Sequence, residues 1–163
     1  MSRSVVTEDI IKLGIAVKWV YIDENRAKHE KRILTPLHLA AMCGQSMVVI
    51  CIMEKLEDKI PRDNFGITPL HNAARNGRLN VVKYIMEIVE DKTPRSNIGG
   101  TPLHDAAING HLDVVKYIME IVEDKTPRSN HGCTPLYYAT KNGHLEASRY
   151  IMEKVEHKNP SNN

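Results

Sequence analysis

The chain has 163 residues, 42% hydrophobic and 26% charged, the composition of a packed globular protein rather than a disordered one. Its 22 Lys and Arg nearly balance its 20 Asp and Glu, and aromatic residues make up 5%, so a nucleic-acid binder built on bulk charge or base stacking is not expected. Cys43, Cys51 and Cys133 form no CxxC pair and no disulfide framework, which excludes a disulfide-built secreted domain and a structural zinc site.

The first predicted element covers about residues 7–28. Ile15, Ala16, Trp19 and Val20 stand 33 residues before Val48, Val49, Ile52 and Met53, and 33 is the period of everything that follows. Residues 1–29 therefore read as a helical, degenerate N-terminal capping unit. Glu8 and Asp9 stand where a secretory leader would need an apolar core, so the expected location is the cytoplasm, with the nucleus open. From Ile33 to Met53 no residue is charged, a membrane-span length. Gly44, Gln45 and Ser46 in its middle and the repeat register argue for a soluble segment, and no membrane insertion is expected.

Four units follow at residues 30–62, 63–95, 96–128 and 129–163. Thr35-Pro36-Leu37-His38 recurs as Thr68-Pro69-Leu70-His71, Thr101-Pro102-Leu103-His104 and Thr134-Pro135-Leu136-Tyr137. Thr is a good N-cap and Pro fits the first turn, where its missing N–H has no helical partner. A short helix with paired alanines is predicted after each motif, ended by Gly44, Gly77, Gly110 and Gly143. A second helix carries Val81, Val82, Ile85, Met86 and Val89 on one face. It is expected to run on to Thr93-Pro94, because the residue before proline disfavours the α region. Met53, Met86, Met119 and Met152 read as core packing, and Glu90-Asp91 and Glu123-Asp124, with Lys92 and Lys125, as a solvated face. In the first unit Ile50 and Cys51 replace Lys83 and Tyr84, so its second helix is apolar nearly all round and needs a cover. Val81–Asn97 is identical to Val114–Asn130, the mark of a duplication inside the array. In the last unit Ala147 and Ser148 suit a terminal repeat, whereas Asn159–Asn163 matches the lead-in to another unit, so a longer array stays open.

Catalytic chemistry is not indicated. No phosphate-binding glycine loop and no Gly-x-Ser-x-Gly elbow occurs. His38, His71 and His104 share one register position, and three copies of one base serve no mechanism. His104 and His111, and likewise His131 and His144, lack the three- or four-residue spacing that puts two imidazoles on one helix face. No enzyme activity, metal or cofactor is expected.

The segment Asp63-Asn64-Phe65-Gly66-Ile67-Thr68-Pro69-Leu70-His71-Asn72-Ala73-Ala74 resembles the signature of the ankyrin repeat, and the resemblance covers about Glu30 to Asn159. The third unit departs with Ser96 at the acidic position, and the fourth with Ser129 there, Tyr137 for His and Thr140 for Ala. Val89, Val122 and Val155 stand where many such repeats have Gly. The first unit has Ile33 in place of the finger glycine, so its turn should not be a standard one. The resemblance implies an all-α solenoid of helix-turn-helix repeats joined by short β-hairpin-type turns. It also implies that His38, His71 and His104 bridge repeats, and that a protein partner is held on the turn tips and concave first-helix face.

Positions that vary among the four copies are free of the duty of holding the solenoid. They fall at the turn (Arg32, Phe65, Ile98, His131; Leu34, Ile67, Gly100, Cys133) and on the first helix (Leu39, Asn72, Asp105, Tyr138; Met42, Arg75, Ile108, Lys141). Phe65, Ile67, Asn72, Arg75, Ile98, Asp105, Ile108, His131, Tyr138 and Lys141 are the expected partner-binding residues, on a monomer that binds no nucleic acid. Asp105 is expected on the surface, where replacement would cost little stability. The rival expectation is a spacer segment of a longer array without its own ligand.

Overall fold

Each Thr-Pro-Leu motif starts a helix in the computed structural model, which describes residues 19–21 and 32–156. Thr35, Thr68, Thr101 and Thr134 are extended N-caps, and the prolines that follow occupy the first turn, where no N–H is required. The result is four helix pairs in chain order: α1 (Pro36–Cys43) and α2 (Ser46–Lys55), α3 (Pro69–Arg75) and α4 (Leu79–Ile88), α5 (Pro102–Ile108) and α6 (Leu112–Ile121), α7 (Pro135–Lys141) and α8 (Leu145–Glu156). They stack as an all-α solenoid.

The core is a continuous seam between the two layers. First helices contribute Leu37, Leu70, Leu103 and the alanines Ala40, Ala41, Ala73, Ala74, Ala106, Ala107 and Ala139. Second helices contribute Val49, Ile52 and Met53, then Val81, Val82, Ile85 and Met86, then their counterparts Val114, Val115, Ile118 and Met119. Alanine pairs let the first helices stack closer to one another than the second helices do, so the array bends with α1, α3, α5 and α7 on its inner side.

Three expectations need correction. Trp19–Tyr21 is a strand, β1, pairing antiparallel with β2 (Arg32–Leu34) in the register Trp19↔Leu34, Val20↔Ile33, Tyr21↔Arg32, whereas a helix is expected there. Trp, Val and Tyr favour extended backbone. Later turns bend at Gly66, Gly99 and Gly132 with φ of 71°, 75° and 74°, a conformation Ile33 avoids, so the first unit enters as a straight strand. The rest of the expected capping unit lies outside the described residues.

The second correction concerns where the second helices stop. α4 ends at Ile88, well before Thr93-Pro94. Val89 turns extended, keeps its N–H on the Ile85 carbonyl and drops its side chain into the core. Lys92 Nζ folds back to donate to the carbonyls of Met86 and Val89, the latter at 2.8 Å, and Asp91 Oδ1 accepts from Thr93 N–H at 3.0 Å. Lys59 bonds the Met53 carbonyl, and Lys125 reaches the Val122 carbonyl at 2.6 Å. The Asp-Lys pair is thus a helix-stop device rather than a merely solvated face. Third, Met53, Met86 and Met119 are buried, but Met152 is 45% exposed, since no repeat follows it among the described residues.

Candidate protein-binding face

The turns between repeats project as fingers, each built by local bonds. In the second unit Asp63 Oδ1 accepts from the N–H groups of Phe65 (2.9 Å) and Ile67 (2.8 Å), and Asp63 N–H donates to the Ile67 carbonyl at 2.9 Å. In the third and fourth, Ser96 and Ser129 hydroxyls take the aspartate's place, accepting from Gly100 N–H (3.1 Å) and Cys133 N–H (3.2 Å). Successive fingers are tied to one another. Asn97 N–H donates to the Phe65 carbonyl (2.9 Å) and its Nδ2 to the Asn64 carbonyl (3.1 Å); Asn130 repeats both bonds one finger later, to Ile98 (3.0 Å) and Asn97 (3.1 Å).

Histidine fixes each finger to the first helix of the preceding unit. His71 Nδ1 accepts from Thr68 N–H at 3.2 Å and lies 2.9 Å from the Thr68 hydroxyl, so the ring proton sits on Nε2, which donates to the Gly100 carbonyl at 3.1 Å. His38 does the same toward Ile67 (2.9 Å) and His104 toward Cys133 (3.0 Å). Burial pushes the pKa of His71 and His104 down, against the opposing pull of Asp105 and of their carbonyl partners. In the fourth unit only a Thr134 cap on Tyr137 N–H remains, at 3.2 Å, and Tyr137 is 47% exposed.

A second histidine position ties the loops behind the first helices. His111 Nε2 reaches the Arg75 carbonyl at 3.0 Å and His144 Nε2 the Ile108 carbonyl at 2.9 Å; Arg78 Nε serves the Met42 carbonyl at 3.1 Å. These side chains lie close against Gly44, Gly77 and Gly110 of the preceding loops. A Cβ on Gly110 would clash with His144 Nδ1, and the residue is also left-handed, φ 70°. Beside the Arg78 loop is a shallow cleft of about 280 Å³ lined by Cys43, Ser46 and Asn80, among others, away from the fingers.

On the face itself, Ile98 stands 61% exposed at a finger tip, His131 and Lys141 are exposed, and Phe65, Arg75, Ile108 and Tyr138 are half-buried. Tyr138 packs edge-on against His104 (6.1 Å) and Tyr137 (5.4 Å); burial raises its hydroxyl pKa, with Cys133 adding to the effect. Three expected residues do not present themselves. Ile67 (7% exposed) lies under its finger, Asn72 (1%) is enclosed between first helices, and Asp105 (6%) is buried in an ion pair. Arg75 Nη2 and Nε both donate to Asp105 Oδ1, at 2.8 and 3.2 Å. Close stacking of the first helices buries the position that Asn72 and Asp105 share, and these are corrections to a reading that equated variability with exposure. Variability also hid Arg62, Arg95 and Arg128, which sit on the finger edge and are the same in three units; their 33-residue spacing was the available signal.

Among the described residues no three His, Cys, Asp or Glu side chains converge as a metal site would need, and no helix is long and apolar enough to cross a membrane. A family model described as ankyrin repeats (3 copies) matches residues 9–96 and again 88–162. Among curated proteins none matches the chain.

Proposed function

Since the chain belongs to the ankyrin-repeat family, whose members generally act as protein–protein interaction modules, we propose that it is a non-enzymatic module that holds a protein partner on its finger tips and first-helix face. The single observation that carries this reading is Ile98, a large apolar side chain held out to water on a finger that backbone bonds tie to both neighbours. An exposed apolar group on a rigid support suits an anchor that loses little entropy on binding. Phe65, His131, Tyr138 and Lys141 flank it along the same face, and the half-buried Arg75 and Ile108 line it. In this reading the protein works as a monomer in the cytoplasm, where its three free thiols suit a reducing compartment.

The test compares wild type with the quadruple variant Phe65→Ala, Ile98→Ala, His131→Ala and Tyr138→Ala, after circular dichroism and melting show an intact solenoid. Ile88→Ala with Ile121→Ala, exposed on the second helices, is the control. A protein retained from source lysate by wild type and control but lost by the quadruple variant supports the face. Equal retention by all three moves the contact elsewhere. Retention of nothing favours the spacer reading, whose own support is the 17-residue identity that leaves two neighbouring units little individuality.

A further inference from the structure

Arg62, Arg95 and Arg128 form an exposed row along the finger edge, one in each of the second, third and fourth units. Arg62 Nη1 donates to the carbonyls of Gly66 (3.0 Å) and Arg95 (2.6 Å). Arg95 Nη1 donates to Gly99 (3.1 Å) and Arg128 (2.8 Å), and Arg128 Nη1 to Gly132 (3.0 Å). One nitrogen pins each guanidinium to its finger, while Nε and Nη2 meet no acceptor among the described residues. The cations are therefore held in place with their remaining donors open, unlike the free-swinging charge of an ordinary surface lysine.

The charges around this row are segregated. Fingers, first helices and the loops behind them (60–78, 93–111, 126–144) hold six Arg and Lys and two Asp. Both aspartates are buried and occupied, Asp63 by finger N–H groups and Asp105 by Arg75. Second helices and their stop segments (46–59, 79–92, 112–125, 145–156) hold thirteen Asp and Glu against eight Lys and Arg. Among the described repeats, then, the fingers, first helices and the loops behind them carry net positive charge and the second helices net negative charge, a division that the overall +2 conceals. Such a division attracts an anion to one side and repels it from the other.

We propose that the finger face binds an acidic, extended polypeptide segment, with carboxylates on Arg62, Arg95 and Arg128 and apolar side chains on Phe65 and Ile98. This rests on the protein-binding reading and specifies its partner. Guanidinium forks match carboxylates in pairs, and the apolar groups between them suit a chain that alternates acidic and apolar side chains. A nucleic-acid backbone would need a more continuous cationic track and stacking rings, which three arginines separated by Phe65 and Ile98 do not supply.

The experiment pans a randomised 12-residue peptide library on the immobilised full chain, then measures the selected peptides by fluorescence anisotropy. Selected sequences should be enriched in Asp and Glu over Lys and Arg, and affinity should fall roughly tenfold between low and moderate salt. The triple change Arg62→Gln, Arg95→Gln and Arg128→Gln should weaken binding roughly tenfold or more, with the corresponding Arg→Lys triple intermediate. Lys83→Gln with Lys116→Gln on the back should change nothing. Should the Gln triple lose its fold, Ile98→Glu introduces a repelling carboxylate without touching any finger bond and should weaken the same peptides. Neutral or basic selected sequences, no selection at all, acidic selection that survives these variants, or tighter binding of a 20-nucleotide single strand would each overturn the proposal. Neutral peptides that are lost on Phe65→Ala with Ile98→Ala would remove only the acidic preference and leave the protein-binding face standing. Peptides indifferent to both sets of changes would remove both.

Discussion

Arg75 and Asp105 lie on neighbouring first helices, and each needs the other. The carboxylate is nearly out of water, while the guanidinium remains about one third exposed. Asp105→Ala should cost about 1–3 kcal/mol, because it removes a charge-assisted bond at a half-buried site. Arg75→Ala should cost a comparable amount, and the double change should cost less than their sum, which urea titration of the three variants measures. Nearby, Leu103→Ala should cost about 2–5 kcal/mol by opening a cavity between helix layers. Ile98→Ala should stay within about 0.5 kcal/mol, since its side chain is in water. Equal costs at Leu103 and Ile98 would contradict the assigned inside and outside. The contrast also marks what the sequence could convey about the face. Variation among copies located Phe65, Ile98, His131 and Lys141 on accessible positions, because nothing in the repeat contacts constrains them. It misplaced Ile67, Asn72 and Asp105, because a residue can vary while buried if the neighbouring repeat varies with it, as Arg75 does for Asp105.

At the level of elements, periodicity was enough to place all four helix pairs, because Thr-Pro starts and apolar spacing are local signals. Their stops were harder. The helix end at Ile88 depends on Lys92 reaching back to main-chain carbonyls, a bond that no apolar pattern reveals. Replacing Lys92 or Lys125 with Met should cost about 1 kcal/mol each, on the scale of one lost hydrogen bond. Amide exchange should localise the loss to the last turn of α4 or α6, and uniform loss across the repeat would show that the lysine does not act as a stop. The strand pair Trp19–Tyr21 with Arg32–Leu34 escaped detection for a related reason. A period of 33 transfers the helical register onto the first unit, but extended pairing there follows from Ile33 lacking the freedom of the finger glycines.

Across the whole molecule, His71 and His104 couple the array to pH. Their folded pKa values lie below that of an unfolded histidine, so the unfolded chain takes up protons first as pH falls. Stability is therefore full above about pH 6.5 and declines below it, at no more than about 1.4 kcal/mol per pH unit for each histidine. Urea midpoints at pH 7.5 and 5.5 should differ in that direction, and His71→Gln should flatten the difference. An unchanged midpoint would mean that the buried rings titrate normally. The same histidine bonds have a kinetic meaning. The side-chain bonds from one repeat to the next span 29 to 36 residues. Closing one joint thus demands the same loop entropy wherever it lies in the array. Folding can start at any pair of neighbours and advance like a zipper, and lengthening the array by one unit would leave every existing joint, and the time needed to form it, unchanged.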